Sequence, residues 1–171
     1  MKNYFFILAI LLVGFAGCLV EPDVNETCEP DPHDSIFVVQ QGPFNFSIRL
    51  PKDLVIQHIP FFHYKENTGE LIVIVGRSFE VVMTQEIRDL GQLKKKWESD
   101  AVLKTEIEEE TANGIFMQQL LPDGAHQSYH YVAMVRNTQV PYYARTSKSG
   151  QFNRDEAILM RKAICSIQPL K

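Results

Sequence analysis

Apolar and polar residues alternate in several stretches of the chain, which is the pattern of a strand with one buried face. The clearest case is Phe44–Leu50, where Asn, Ser and Arg separate four apolar residues before Pro51. Residues 71–75 are instead all apolar and mostly β-branched, which is typical of a strand covered on both faces. A turn at 76–78 follows this run, so an antiparallel hairpin with residues 79–85 is the simplest arrangement.

Two other stretches carry apolar residues at the period of an α-helix. The first stripe consists of Leu90, Leu93, Trp97 and Ala101. Asp89 precedes it and can cap the helix. The second stripe consists of Ala157, Met160, Ile164 and Ile167. Asn153 can cap this helix while Glu156 reaches back to it, and Pro169 ends it.

Alternating segments of suitable length fill most of the remaining chain. They predict strands at 61–64, 102–109, 114–121, 128–136 and 140–147. Turn-forming residues such as those of Asn113-Gly114 separate these segments. The order of strands, helix, strands and helix predicts an α+β domain, with two helices packed on one curved antiparallel sheet of about six to eight strands.

The N-terminus has the pattern of a secretory signal peptide. Lys2 is followed by an almost wholly apolar run over residues 4–15, which is shorter than the roughly 20 residues that a membrane-spanning helix needs. The tail Ala16-Gly17-Cys18 resembles a lipobox, although Phe15 replaces the usual aliphatic residue. This resemblance implies a bacterial or archaeal lipoprotein whose Cys18 is lipidated and becomes the first residue. The alternative is ordinary cleavage near Gly17, which leaves Cys18 as a free thiol.

Three segments follow from these patterns. Residues 1–17 are predicted to be a signal peptide, residues 18–35 an acidic, proline-rich tether, and residues 36–171 a single α+β domain. Without Lys2 the chain carries 17 − 1 = 16 Lys and Arg against 21 Asp and Glu. This mildly acidic balance argues against nucleic acid as a partner, because nucleic-acid binding needs a basic surface.

Two cysteines remain if Cys18 is lipidated. In an oxidising compartment such a pair suggests a disulfide between Cys28 and Cys165, which would join the tether to the last helix. The alternative leaves Cys28 free in the tether and Cys165 as a small buried apolar residue.

The sequence contains no motif for catalysis, a metal or a cofactor. His126 and His130 are four residues apart, but on a strand this spacing separates them by roughly 13 Å, too far to share an ion. Glu106, Glu108 and Glu110 are expected to share a solvated strand face. We therefore expect a protein that is not an enzyme. The alternative is an enzyme whose active site is assembled from distant residues and so leaves no local signature.

Aromatic and basic residues on two neighbouring strands form the most suggestive cluster. Its members are Tyr129, Tyr131, Tyr142, Tyr143, Arg136 and Arg145. Tyr and Arg are enriched where proteins grip their partners, so the cluster is a candidate binding face. Ordinary cross-strand packing is the alternative role for the tyrosines.

The order of elements over residues 37–168 resembles the PsbP-like α/β/α fold. The resemblance depends on the opening strand Phe44–Leu50, the lysine-rich helix, and the closing strand and helix. It implies a non-catalytic accessory or assembly protein. Two functions are thus expected: an anchored accessory factor that binds another envelope component through protein contacts, or a lipoprotein that binds a small molecule or glycan at the Tyr/Arg cluster.

Overall fold

The computed structural model describes residues 29, 31–120, 124 and 127–170. Within these residues it contains ten strands and three helices. The strands are β1 (Ser35–Gln41), β2 (Phe44–Leu50), β3 (Phe61–Lys65), β4 (Glu70–Val75), β5 (Phe79–Thr84), β6 (Lys104–Glu110), β7 (Gly114–Leu120), β8 (Gln127–Val135), β9 (Tyr142–Thr146) and β10 (Gln168–Pro169). The helices are α1 (Lys52–Gln57), α2 (Leu90–Glu98) and α3 (Arg154–Cys165).

The strands form two antiparallel sheets, which confirms the predicted α+β class. The larger sheet has the order β3-β4-β5-β9-β8-β7-β6, and the smaller one has the order β1-β2-β10. The prediction of one sheet was wrong at the Phe44–Leu50 strand. Pro51 and α1 end this strand, and it pairs with β1 and with Gln168 and Pro169 of β10 instead of joining the larger sheet.

The two longer helices lie on opposite faces of the larger sheet. α3 contacts β5, β8, β9 and also β2, so the main core lies between α3, the larger sheet and the smaller sheet. Leu90, Leu93 and Trp97 of α2 pack against a second, smaller core on the other face. In β4, Leu71, Val73 and Val75 are fully buried on one face and Ile72 on the other is only 7% exposed, as expected for a strand that is covered on both sides.

The predicted helix starts agree with the structure. The Asp89 carboxylate accepts hydrogen bonds from the backbone N–H groups of Gly91 at 2.9 Å and Gln92 at 3.2 Å. Asn153 and Glu156 form a reciprocal capping box at the start of α3, with distances of 2.9 and 2.8 Å. No sequence pattern predicts α1, because this six-residue helix has no side-chain cap and no buried residue.

Candidate functional site

A buried arginine lies at the centre of the interface between α3 and the larger sheet. Arg161 is only 2% exposed, and its guanidinium lies 5.3 Å from the centre of the Tyr131 ring and 5.7 Å from that of Phe116. Both rings attract a cation and restrict the orientation of the side chain. A charged group in an apolar interface is costly unless it is paired, so its partner decides whether the arrangement is stable.

That partner is Glu109, which is brought to Arg161 by an irregularity in β6. The pairing between β6 and β7 shifts register between Ile107 and Glu109, which is the signature of a β-bulge. Ile107 packs on the α2 side of the sheet, and two positions later a regular strand would point to that same side. The extra residue reverses the alternation, so that Glu109 faces α3 and forms an ion pair with Arg161.

The same bulge separates the acidic residues that we expected to share one face. Glu108 pairs with Arg154 of α3 at 3.1 Å, whereas Glu110 pairs with Lys94 of α2 at 2.5 Å. Glu106 pairs with Lys104 at 2.6 Å on the surface. The expectation of one solvated face was therefore wrong, because a period-two argument does not anticipate an inserted residue.

A cavity of about 700 Å³ lies beside Arg161. This volume is within the range of small-molecule sites. The apolar part of its wall includes Ala133, Val135 and Ile164, and the polar part includes Thr111, Asn113, Tyr131, Arg136, Asn137 and Arg161. The combination of apolar surface with a few convergent polar groups is typical of sites that bind organic molecules.

Cys165, the last residue of α3, lines the same cavity and takes part in a disulfide bond. The other two cysteines of the chain, Cys18 and Cys28, lie outside the described residues, so the Cys28–Cys165 pairing stays a prediction. The Tyr131 hydroxyl lies 3.8 Å from the Cys165 sulfur. Burial raises the pKa of Tyr131, so its hydroxyl is neutral and available for hydrogen bonding at neutral pH.

Only two members of the predicted Tyr/Arg cluster, Tyr131 and Arg136, reach this cavity. Tyr129 lies on the same side of β8, where its ring packs 6.2 Å from that of Phe116. The remaining three members are placed elsewhere in the fold.

Tyr142 is buried in the main core, with its ring 5.1 Å from that of Phe44. Tyr143 belongs to the smaller core on the opposite face of the sheet, and the Arg88 guanidinium lies 4.6 Å from its ring. Arg145 pairs with Glu70 at 3.3 Å. The six residues do not form one surface, because neighbouring residues of a strand point to opposite faces.

A second polar cluster surrounds His130, which is 8% exposed. Its Nε2 lies 2.7 Å from the Ser128 hydroxyl, and its Nδ1 lies 3.0 Å from the Thr146 hydroxyl. Burial, with a smaller contribution from nearby Arg145, lowers the pKa of His130 to about 4. Serine beside histidine is the start of a nucleophilic dyad, but among the described residues the ring is hydrogen-bonded to two hydroxyls and to no carboxylate that could stabilise an imidazolium. The cluster is therefore suited to hold a neutral histidine in the core.

The part of the chain that the structure describes contains no group of three or more His, Cys, Asp and Glu residues that could hold a metal ion. His126, the other half of the histidine pair considered above, lies outside the described residues. Within the described ranges, no helix has the length and apolar character needed to cross a membrane.

No protein family, curated protein or solved structure matches the chain. The resemblance to PsbP-like proteins therefore stays a prediction, and so does the lipobox, which lies outside the described residues.

The sequence prediction missed Arg161 and Glu109, although one signal for Arg161 was present. Arg161 follows Ala157 by four residues, and it therefore falls inside the apolar stripe of α3 between Met160 and Ile164. A charged residue in such a position needs a buried partner. Glu109 had no comparable signal, because its orientation depends on the bulge.

Proposed function

We propose that the protein is a lipoprotein, anchored outside the cytoplasm through Cys18, that binds a small molecule in the cavity beside Arg161 and catalyses no reaction. The signal-peptide and lipobox patterns of the N-terminal sequence support the anchor. Two acyl chains on Cys18 would be enough for stable membrane attachment without a membrane-spanning helix. The proposal includes a PsbP-like α/β/α sandwich for the domain.

The observation that carries the ligand-binding function is the cavity itself. Its volume of about 700 Å³ suits an organic molecule, and one wall combines an aromatic ring, a buried arginine and apolar side chains. Asn113, at an exposed turn on the rim, offers a way to close the site without disturbing the core.

Native mass spectrometry of the full-length protein, extracted from membranes with a mild detergent, tests this function. We expect a bound small molecule on the wild-type protein and its loss in the Asn113→Trp variant, where the indole ring fills the entrance. The same molecule bound equally well by the variant would place the binding site elsewhere. A wild-type protein that carries no small molecule would count against the function.

The anchor is tested separately. Replacing Cys18 with Ala should move the protein from the membrane fraction to the soluble fraction. Mass spectrometry of the wild-type N-terminus should show a diacylglycerol-modified cysteine. An unmodified thiol at this position would refute the anchor and leave the cavity proposal intact.

A second candidate function, an accessory factor that binds another envelope protein, is favoured by a different feature. Ile56, Ile59 and Phe61 lie within six residues of each other and all three are exposed. Neighbouring exposed apolar side chains are typical of protein contacts. Replacing all three with Ser should abolish co-purification of a stoichiometric partner, while a wild-type protein without any such partner would contradict this role.

A further inference from the structure

The wall of the cavity beside Arg161 carries more positive than negative charge. Among the residues that the structure describes, the lining includes two arginines, Arg136 and Arg161, and no carboxylate. Arg136 is exposed and forms no ion pair with any described residue. Glu109 compensates the charge of Arg161, so Arg136 is the arginine of this wall that no described carboxylate compensates.

The pairing of Arg161 leaves part of its guanidinium unused. Glu109 accepts a hydrogen bond from Nη1, while Nε is buried and has no hydrogen-bond partner. Nε and Nη2 form the side edge of the guanidinium, where two parallel N–H groups match the two oxygens of a carboxylate or phosphate. An unsatisfied buried donor is costly, so an acid group that enters beside Nη2 and accepts from this edge would offset that cost.

The rigidity of Arg161 adds to this preference. Its guanidinium is held by the Tyr131 and Phe116 rings on the one hand and by the Glu109 ion pair on the other. A side chain that is already fixed loses little conformational entropy when a ligand binds. The rest of the ligand would lie against Ala133, Val135 and Ile164, which are all apolar.

From this arrangement we propose that the cavity binds organic acids: molecules with an apolar body and one carboxylate or phosphate group, which Arg161 and Arg136 hold together. The proposal rests on the ligand-binding function and adds the chemical class of the ligand. The apolar body lies on the β8 and α3 side chains, and the acidic group points to the unused edge of Arg161.

Isothermal titration calorimetry of the full-length protein in a nonionic detergent tests the ligand class. The probes are 2-naphthoate, 2-naphthyl phosphate and the neutral 2-naphthamide, which share one apolar ring system. We expect at least one of the two anions to bind roughly tenfold or more tightly than the amide, because charge-assisted hydrogen bonds are about twice as strong as neutral ones. The two anions distinguish a carboxylate from a phosphate ligand.

Two variants and one control identify the residues. Arg161→Lys keeps the charge that Glu109 needs but removes the two-donor edge, so it should weaken anion binding roughly tenfold and leave amide binding unchanged. Arg136→Gln should weaken anion binding by a smaller factor, and because Arg136 is exposed this variant is expected to fold. The matched control is Arg77→Gln, which removes an exposed arginine from the β4–β5 turn and should change nothing.

The outcomes separate this proposal from the function on which it rests. If the amide binds as tightly as both anions and Asn113→Trp blocks all three, the cavity binds ligands but the acid preference is refuted. If the anions bind preferentially but neither Arg161→Lys nor Arg136→Gln weakens them, the assignment to these arginines is refuted. If none of the probes binds, the proposal fails, while the mass spectrometry described above still decides the ligand-binding function.

Discussion

The stability of this fold should fall as the pH is lowered, and His130 should be responsible for a measurable part of the loss. Its imidazole is buried between the hydroxyls of Ser128 and Thr146, and its pKa in the folded protein is about 4. In the unfolded chain the pKa returns to the ordinary value of 6.5. Between these two values the unfolded state binds a proton that the folded state does not, so protonation favours unfolding.

The magnitude follows from the two pKa values. Each tenfold difference in proton affinity is worth about 1.36 kcal/mol, so the full contribution of His130 is roughly 3 kcal/mol. It is present above pH 6.5 and is lost progressively as the pH falls to about 4. Between pH 7.5 and pH 5.0 the same relation gives a loss of roughly 2 kcal/mol in the free energy of unfolding.

Urea unfolding at pH 7.5 and pH 5.0, followed by the fluorescence of Trp97, measures this loss. Other groups also titrate in this range, so the comparison is made with His130→Gln, whose amide can hydrogen-bond to the two hydroxyls but does not titrate. The variant should lose roughly 2 kcal/mol less than the wild type between the two pH values. His63→Gln, at an exposed histidine on β3, is the matched control for replacing a histidine with glutamine. Equal losses in the wild type and in His130→Gln would refute the reasoning.

Three other substitutions test the region of the cavity. Glu109→Gln leaves the buried Arg161 without a counter-charge and should lower the free energy of unfolding by about 2 kcal/mol, which is less than for a fully buried pair because Glu109 is 25% exposed. Urea unfolding measures this loss, and an unchanged midpoint would show that the ion pair does not contribute to stability. Cys28→Ser should remove a disulfide to Cys165 and lower the free energy of unfolding by up to roughly 5 kcal/mol, because the disulfide would close a long loop. Peptide mapping without reduction checks the pairing, and a cross-link at Cys165 that persists in this variant would contradict it. Gly114→Ala places a Cβ against the Tyr131 hydroxyl and should lower the free energy of unfolding by about 1–3 kcal/mol while displacing one wall of the cavity. A fully stable variant with unchanged probe binding would show that the Tyr131 ring moves freely.

Local sequence patterns predicted most of the strands and helices, but little of how the strands are arranged into sheets. The period-two and period-3.6 patterns located β2, β4, β5, α2 and α3 to within a few residues, because burial of one face imposes these periods directly. The separation into two sheets was not predictable in this way. It depends on the pairing of β2 with Gln168 and Pro169, more than a hundred residues away in sequence, and two residues are too few to leave a pattern.

The sequence allowed a prediction only for those residues of the candidate site whose own type or position pointed to a special role. Tyr131 and Arg136 were identified because their residue types are common in binding sites. Tyr142 and Tyr143 were grouped with them although adjacent residues of a strand point to opposite faces, and neither lines the cavity. Arg161 was detectable as a charge inside an apolar stripe. Its partner Glu109 was not detectable, because the bulge that turns Glu109 toward α3 has no characteristic amino-acid sequence.

The bulge in β6 connects the architecture of the fold to its chemistry. Without it, the sheet would present Glu109 to the α2 side, and Arg161 would lose this counter-charge. An uncompensated arginine at 2% exposure is too costly for a stable core, so the bulge and the buried arginine depend on each other. A core that needed only stability could place an apolar residue at position 161 and keep a regular strand. The paired but incompletely satisfied guanidinium at the wall of the cavity is therefore the feature on which the proposed organic-acid ligand rests.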